Sequence, residues 1–133
     1  SELLNLKFLG NLKHEFIHSA ISGAHIGISL RTNDFISKTS FPVKVYEYIG
    51  MALPVIITPI SEAGEFVQEN GLGYQFDTSD FDGILNKIIE LKANSEQLEL
   101  LSANCKIIKD QFSRKKLSTD FVKIISSKLE ENG

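Results

Sequence analysis

The segment from residue 39 to residue 47 combines groups that together could hold a diphosphate. Pro42 suits the first turn of a helix, because its missing N–H costs nothing there. The N–H groups that follow belong to Val43, Lys44 and Val45. They would point outward at the positive end of the helix dipole, where anions bind. Lys44 adds a mobile positive charge, and Thr39 and Ser40 add hydroxyl groups, so we expect an anion to dock at this helix start.

Glu47 is the acidic residue of the same helix. It follows Lys44 by three residues, a spacing that places two side chains on one side of a helix. A carboxylate one turn into the helix could accept hydrogen bonds from the two hydroxyl groups of a ribose. The alternative interpretation is an ordinary surface ion pair between Lys44 and Glu47, which would contribute less than about 1 kcal/mol.

The elements around this segment alternate between short apolar runs and longer amphipathic ones. The pattern predicts strands at 4–9, 25–30, 55–58 and 72–76, and helices at 12–21, 42–51, 62–69, 80–93, 95–109 and 113–129. Residues 31–40 read as a ten-residue irregular loop. Strands and helices that alternate through short links predict a mostly parallel sheet with right-handed crossovers. We therefore expect an α/β fold, a three-layer Rossmann-like sandwich.

The carboxyl ends of parallel strands lie at one edge of a sheet, and ligands bind beyond that edge. Three predicted loops leave the strands there, at residues 10–11, 31–40 and 59–64. The topology therefore predicts that these loops lie side by side, next to the start of the helix at Pro42.

Composition limits the remaining choices. With 133 residues and 42% apolar side chains, the chain is one domain with a core of its own. A net charge of -3 argues against a nucleic-acid partner, and the single cysteine excludes an internal disulfide. Residues 106–128 hold seven basic and two acidic residues. That segment is either a solvated helix face or a weak contact for an anionic membrane surface.

Residues 41–56 resemble a signature of GT-B glycosyltransferases of family 4. The shared features are an aromatic residue and Pro42, a helix carrying Glu47, a helix end rich in small residues, and Pro54-Val55-Ile56. Further matches are a strand ending at Gly10 and Glu65-Phe66-Val67 followed by Asn-Gly-Leu-Gly at 70–73. Because these pieces occur in the same order over residues 6–125, the chain resembles the C-terminal, donor-nucleotide-binding domain of such an enzyme.

The resemblance implies a retaining transferase that uses a UDP-sugar or GDP-sugar and no obligatory metal. Glu47 matches the family's ribose-binding Glu, whereas Thr39 stands where the family has a Glu near the donor sugar, a departure that affects donor choice or activity. Thr39 and Lys44 are the expected catalytic residues. The expected donor-binding residues are Gly10, Asn11, Ser40, Phe41, Val43, Lys44, Glu47 and Glu65.

The resemblance also implies a setting for the chain. The family's acceptor-binding domain, and a basic pair that neutralises the diphosphate, have no counterpart in residues 1–133, which also lack an initiator Met. We therefore expect a domain of a longer enzyme that is inactive alone. The full enzyme is expected to make a surface polysaccharide or lipid-linked glycan in the cytoplasm, with peripheral attachment to the inner face of the membrane.

Several other functions are compatible with parts of the sequence. A non-catalytic nucleotide- or partner-binding module is the main alternative, and Thr39 is the residue that favours it. A receiver-like signalling domain would need an acidic cluster after the first strand, and none is present. His14-Glu15-Phe16-Ile17-His18 spells a zinc-protease motif, but the third His of the extended motif is out of register. Cys105 is expected to be a buried structural thiol.

Overall fold

The computed structural model describes Gly10 and residues 13–111, apart from the side chains of His14 and His18. Along the chain the elements are α1 (His14–Ile21), β1 (Gly27–Leu30), α2 (Phe35–Thr39), α3 (Val43–Gly50), β2 (Val55–Thr58), α4 (Glu62–Glu69), β3 (Gly73–Gln75), α5 (Phe81–Ala93) and α6 (Ser95–Gln111). The described strands form one sheet in the order β1-β2-β3. Both strand pairs are parallel, as predicted, with Gly27 opposite Val55 and Val55 opposite Gly73.

Layers of helices cover both faces of this sheet. On the first face, α3, α4 and α6 pack against β2 through a core of nine buried residues: Val45, Ile49, Val55, Ile57, Ala63, Val67, Leu72, Cys105 and Ile108. On the second face, Ile56 is fully buried, and its neighbour Tyr74 lies 4.4 Å from the ammonium of Lys87 on α5. The α/β fold with three layers is therefore confirmed.

Two close contacts fix α3 on β1. The ring of Tyr48 lies directly over Gly27, where an added Cβ would come within 2.3 Å of it. The Tyr48 hydroxyl donates a hydrogen bond to the Ile28 carbonyl oxygen at 3.2 Å, and burial raises the pKa of this phenol. Only glycine at position 27 leaves room for the ring, so this pair sets the distance between β1 and α3.

The residue Cys105 lies inside the first layer, fully buried. Its thiol approaches the Leu53 carbonyl oxygen at 3.5 Å, so α6 touches the chain just before β2. Burial raises the pKa of the thiol to about 12. The prediction of a buried structural cysteine is confirmed.

The predicted elements agree with the structure except at one place. Strand 55–58 and helix 62–69 have the predicted bounds, and the other described elements differ only at their ends. The irregular loop predicted at 31–40 is wrong, because it contains α2. The Asp34 carboxylate accepts a hydrogen bond from the Ser37 N–H at 2.8 Å and so caps a short helix.

Some predictions fall outside the described residues. These are strand 4–9, the helix cap at Asn11, the first residues of helix 12–21 and the helix at 113–129. The extent of a single domain over residues 1–133 likewise stays a prediction.

Candidate functional site

In the described part of the chain, grooves open where β1 ends, and Leu30 and Arg31 line three of them. The α2 groove, of about 600 Å³, is bounded by residues 30–32 and 34–37. The α5 groove, of about 330 Å³, runs between β1, Thr58 and the start of α5. The α3 groove, of about 380 Å³, is lined by Ser29, Leu30, Arg31, Ser40, Phe41, Pro42, Val43 and Lys44. The edge predicted from topology is therefore open and concave.

The α3 groove brings four of the predicted site residues together: Ser40, Phe41, Val43 and Lys44. Lys44 is exposed, and within residues 13–111 no hydrogen bond or ion pair holds its ammonium. Pro42 provides no side-chain cap to α3, so the N–H groups of Val43 and Lys44 have no acceptor among the described residues. The N–H of Val45 is not available, because it donates to the Pro42 carbonyl oxygen at 3.1 Å.

Arg31 is the groove residue that the sequence analysis missed. Its Nη1 donates a hydrogen bond to Ser40 Oγ at 2.9 Å. The Ser40 hydroxyl in turn donates to the Ile36 carbonyl oxygen at 2.6 Å. An arginine at the end of a strand carries no motif of its own. The available signal was its position, since it follows a strand that ends at the ligand-binding edge.

Thr39 lies at the end of α2 and lines none of the three grooves. Its hydroxyl donates to the Phe35 carbonyl oxygen at 2.7 Å, within the helix. The side chain is half-buried. Thr39 therefore precedes Ser40, a lining residue of the α3 groove, but its hydroxyl points toward its own helix.

Glu47 and Lys44 differ in exposure, although both belong to α3. Lys44 is exposed, whereas Glu47 is only 7% exposed and does not line the α3 groove. Val45 and Ile49 on either side of Glu47 are buried too. The alternative of a surface ion pair between Lys44 and Glu47 is wrong, because Lys44 makes no ion pair with any described residue.

Phe41 takes part in packing as well as in the groove. Its ring centroid lies 4.5 Å from that of Tyr46 and 5.7 Å from that of Phe66 on α4. This aromatic cluster joins α3 to α4 just behind the α3 groove. A ligand in the groove would therefore meet a Phe41 ring that is already held in place.

The remaining predicted site residues are not brought into the grooves. Glu65 is exposed in the first turn of α4 and lines none of them. Gly10 is exposed, with a φ of 71° and no atoms near the place of an added Cβ. Asn11 lies outside the described residues.

The one carboxylate in the α2 groove is Asp34. Hydrogen bonds from the Thr32 hydroxyl and the Ser37 N–H lower its pKa, the Thr32 bond having the largest effect, with a small contribution from Arg31. Asp34 is therefore a charged helix cap at neutral pH rather than a proton donor.

Two further observations concern metal and membrane. Across residues 13–111, no group of three or more His, Cys, Asp or Glu side chains is arranged to hold a metal ion. The His-Glu-x-x-His segment lies on α1, with the side chains of His14 and His18 outside the described part of the chain. None of the described helices has the length and apolar character needed to cross a bilayer.

Comparison with known proteins identifies a family. The family model described as glycosyl transferases group 1 matches residues 2–107. No curated protein and no solved structure matches the chain significantly. The matched range contains all three described strands, the α3 groove and most of α6, and it supports a role in glycosyl transfer. The chain thus belongs to the group 1 glycosyltransferases.

Proposed function

We propose that this domain binds the nucleotide-sugar donor for a retaining glycosyl transfer, with the donor's diphosphate in the α3 groove. Membership of the group 1 glycosyltransferases supports the reaction class. The observation that supports the location is the α3 groove itself, which combines the Lys44 ammonium with the start of a helix that has no side-chain cap. Anions bind at such helix starts because N–H groups and the helix dipole both point toward them.

The proposed role of Lys44 is to neutralise the diphosphate, both in the bound donor and as it leaves. When the bond between the sugar's anomeric carbon and the phosphate oxygen breaks, the electron pair stays on the diphosphate, which gains negative charge. Fixed donors aimed at that charge lower the barrier, since they need no rearrangement during the reaction. Lys44 and the N–H groups of Val43 and Lys44 would supply them without an obligatory metal.

Glu47 is proposed to hold the ribose of the nucleotide. Its carboxylate lies one turn beyond Lys44 on α3, in a position that is 7% exposed. A carboxylate sheltered from water makes stronger hydrogen bonds than an exposed one. Because Glu47 lies outside the lining of the α3 groove, ribose hydroxyls would have to reach it through the small exposed part of its side chain.

Three further points complete the proposal. Thr39 is expected close to the donor sugar, because the next residue in the chain, Ser40, lines the α3 groove. The acceptor is proposed to bind to a separate domain that faces the grooves. The product is proposed to be a surface polysaccharide or lipid-linked glycan, made in the cytoplasm beside the inner face of the membrane.

Thermal unfolding with nucleotides tests the proposal. The melting temperature of the intact protein is measured with UDP, GDP, ADP and CMP, and with the matching nucleosides as controls that lack phosphate. A nucleotide at a hundred times its Kd adds about 2.7 kcal/mol to the free energy of unfolding. We expect stabilisation by UDP or GDP that is reduced in Lys44→Gln and retained in Lys92→Gln, a charge-matched control on α5.

A transfer assay separates this function from its main alternative. Incubating the intact protein with labelled UDP-sugars or GDP-sugars and a lipid-linked acceptor should release UDP or GDP and give a labelled glycan. Nucleotide binding without any release of UDP or GDP would instead favour a non-catalytic nucleotide-binding module. An absence of stabilisation by every nucleotide would contradict the proposal.

A further inference from the structure

We propose that Arg31 is a second cationic ligand of the donor's diphosphate, and that Ser40 is the residue that positions it. This inference rests on the proposed function and extends it. The sequence alone predicts that Ser40 binds the ligand directly and indicates no role for Arg31. The hydrogen bonds of these two side chains lead to the opposite assignment.

The backbone of Arg31 is fixed against β2. Its N–H donates to Thr58 Oγ1 at 3.0 Å and lies 3.3 Å from the Thr58 carbonyl oxygen. The Thr58 hydroxyl donates back to the Arg31 carbonyl oxygen at 3.2 Å. Thr58 is only 3% exposed. These bonds use main-chain groups of Arg31, so its guanidinium projects from a fixed point at the end of β1.

The guanidinium is oriented by Ser40. Its Nη1 donates to Ser40 Oγ at 2.9 Å, while the Ser40 hydroxyl donates its single proton to the Ile36 carbonyl oxygen at 2.6 Å. A hydroxyl has one proton to give. Ser40 therefore has none left for a phosphate oxygen in this arrangement, whereas four of the five N–H bonds of Arg31 remain.

No other residue in the described part of the chain accepts a hydrogen bond from those remaining donors. Within the described residues the Arg31 guanidinium makes no ion pair. Asp34 is the acidic residue that lines the α2 groove together with Arg31. Its carboxylate is engaged by the Ser37 N–H and the Thr32 hydroxyl. An oriented arginine without a carboxylate partner is available to bind an anion.

The position of Arg31 fits a diphosphate better than a single phosphate. Arg31 comes from β1 and Lys44 from α3, and both line the α3 groove of about 380 Å³. A planar guanidinium binds two phosphate oxygens at once, and an ammonium acts as a mobile point charge. Two such cations from different elements suit two linked phosphates that share a groove.

Inorganic pyrophosphate is the probe that isolates this contact, because it has neither base nor ribose. Its Kd is measured by calorimetry on the intact protein at about 0.15 M salt, where weak surface attraction is screened. We expect Arg31→Gln to raise the Kd roughly tenfold or more, since a charge-assisted hydrogen-bonding pair is lost. The Kd of Arg31→Lys should lie between those of the wild type and Arg31→Gln, because lysine keeps the positive charge but lacks the planar, two-pronged guanidinium.

Ser40 gives the test of the positioning role. Ser40→Ala should raise the pyrophosphate Kd severalfold, and Ser40→Thr should restore it, because threonine keeps the hydroxyl that orients Arg31. In the double variant with Arg31→Gln, Ser40→Ala should add no further loss. Lys38→Gln is the charge-matched control, since Lys38 is exposed on α2 and lines none of the grooves; its Kd should match the wild type.

The outcomes separate this inference from the proposed function. Pyrophosphate binding that is the same in wild type and Arg31→Gln overturns the role of Arg31 and leaves the donor site intact. Equal losses in Arg31→Gln and Lys38→Gln overturn it as well, because they indicate a general charge effect. If Ser40→Ala raises the pyrophosphate Kd as much in the Arg31→Gln background as in the wild type, Ser40 is a direct ligand and its positioning role is overturned. A wild-type protein that binds neither pyrophosphate nor any nucleotide overturns both proposals.

Discussion

Helices α3 and α4 occupy matching places in the fold but differ in how they start. Each lies between two successive strands of the chain, packs on the first face and leads into the next strand. Each ends in the same hydrogen-bond pattern, with Leu53 donating to Tyr48 at 2.9 Å and Leu72 donating to Val67 at 2.8 Å. Helix α6 holds both ends, through Ser102 and Asn104 respectively.

The starts of the two helices have opposite chemistry. In α4 the Ser61 hydroxyl accepts the Gly64 N–H at 3.0 Å, and Glu62 and Glu65 lie in the first turn. In α3 there is no side-chain cap and no acidic residue in the first turn, and Lys44 stands there instead. The protein completes the start of α4 with its own side chains. The start of α3 is left open, which is what an anion site requires.

The largest predicted effect is a similar loss of stability when a buried valine is shortened in either helix. Val45 on α3 and Val67 on α4 are both fully buried, so Val45→Ala and Val67→Ala should each lower the free energy of unfolding by about 2–3 kcal/mol. Urea unfolding measures both, with Ile107→Ala on the exposed side of α6 as a control that changes little. A much smaller loss for Val45→Ala would mean that α3 is held more loosely than α4.

The second prediction gives α3 a cap like that of α4. Pro42 has extended backbone angles suited to a capping residue. In Pro42→Asp a carboxylate would take the free N–H groups and repel a diphosphate, so nucleotide affinity should fall by about 2 kcal/mol, roughly thirtyfold. Calorimetry with UDP or GDP measures this.

Pro42→Asn is the matched control, because its amide oxygen caps the helix without adding charge. It should lose less affinity than Pro42→Asp. Equal nucleotide affinity in wild type and Pro42→Asp would mean that the start of α3 does not bind the phosphates.

The third prediction removes the cap from α4. Ser61→Ala should lower the free energy of unfolding by about 1 kcal/mol, whereas Ser61→Gly should cost only a few tenths. Nucleotide affinity should stay at the wild-type value in both, since Ser61 lines none of the three grooves. A loss of affinity as large as that of Lys44→Gln would extend the site to α4 and so restore Glu65 as a ligand.

The smallest effect concerns the one difference at the helix ends. α4 is followed by Gly71 with a φ of 66°, whereas α3 is followed by Ala52 with a φ of 58°, a region that disfavours side chains. Ala52→Gly should therefore raise the free energy of unfolding by about 0.5 kcal/mol, after allowance for the greater freedom of glycine in the unfolded chain. Urea unfolding that shows a loss would mean that the Ala52 methyl group packs better than its backbone suggests.

The sequence predicted the regular elements well because their signals are local. Helix 62–69 has a serine before it and Asn-Gly after it, and strand 55–58 is a β-branched run after a proline. The helix inside 31–40 was missed because it is five residues long, and its signal was Asp34 three residues before Ser37. Asp34 is a helix cap, but the five residues after it are too few to show the periodic apolar pattern of a longer helix.

The site was predicted less completely because its contacts are not local. Lys44 and the open helix start follow from spacing along one helix. The pairing of Arg31 with Ser40 depends on α2 bringing together residues nine positions apart. The burial of Glu47 depends on how α3 sits against the rest of the first layer, which helical spacing alone does not give.

The reactivity of Cys105 can report when the first layer of the protein opens. Cys105 is the only cysteine in 133 residues, and its thiol is sealed inside the first layer with a pKa of about 12. Alkylating reagents attack the thiolate, so the native thiol should resist them at neutral pH. Each labelling event would then record a moment when α6 separates from the sheet. The rate of labelling, measured as ligand is added, would show whether a ligand in the α3 groove slows the opening of the first layer.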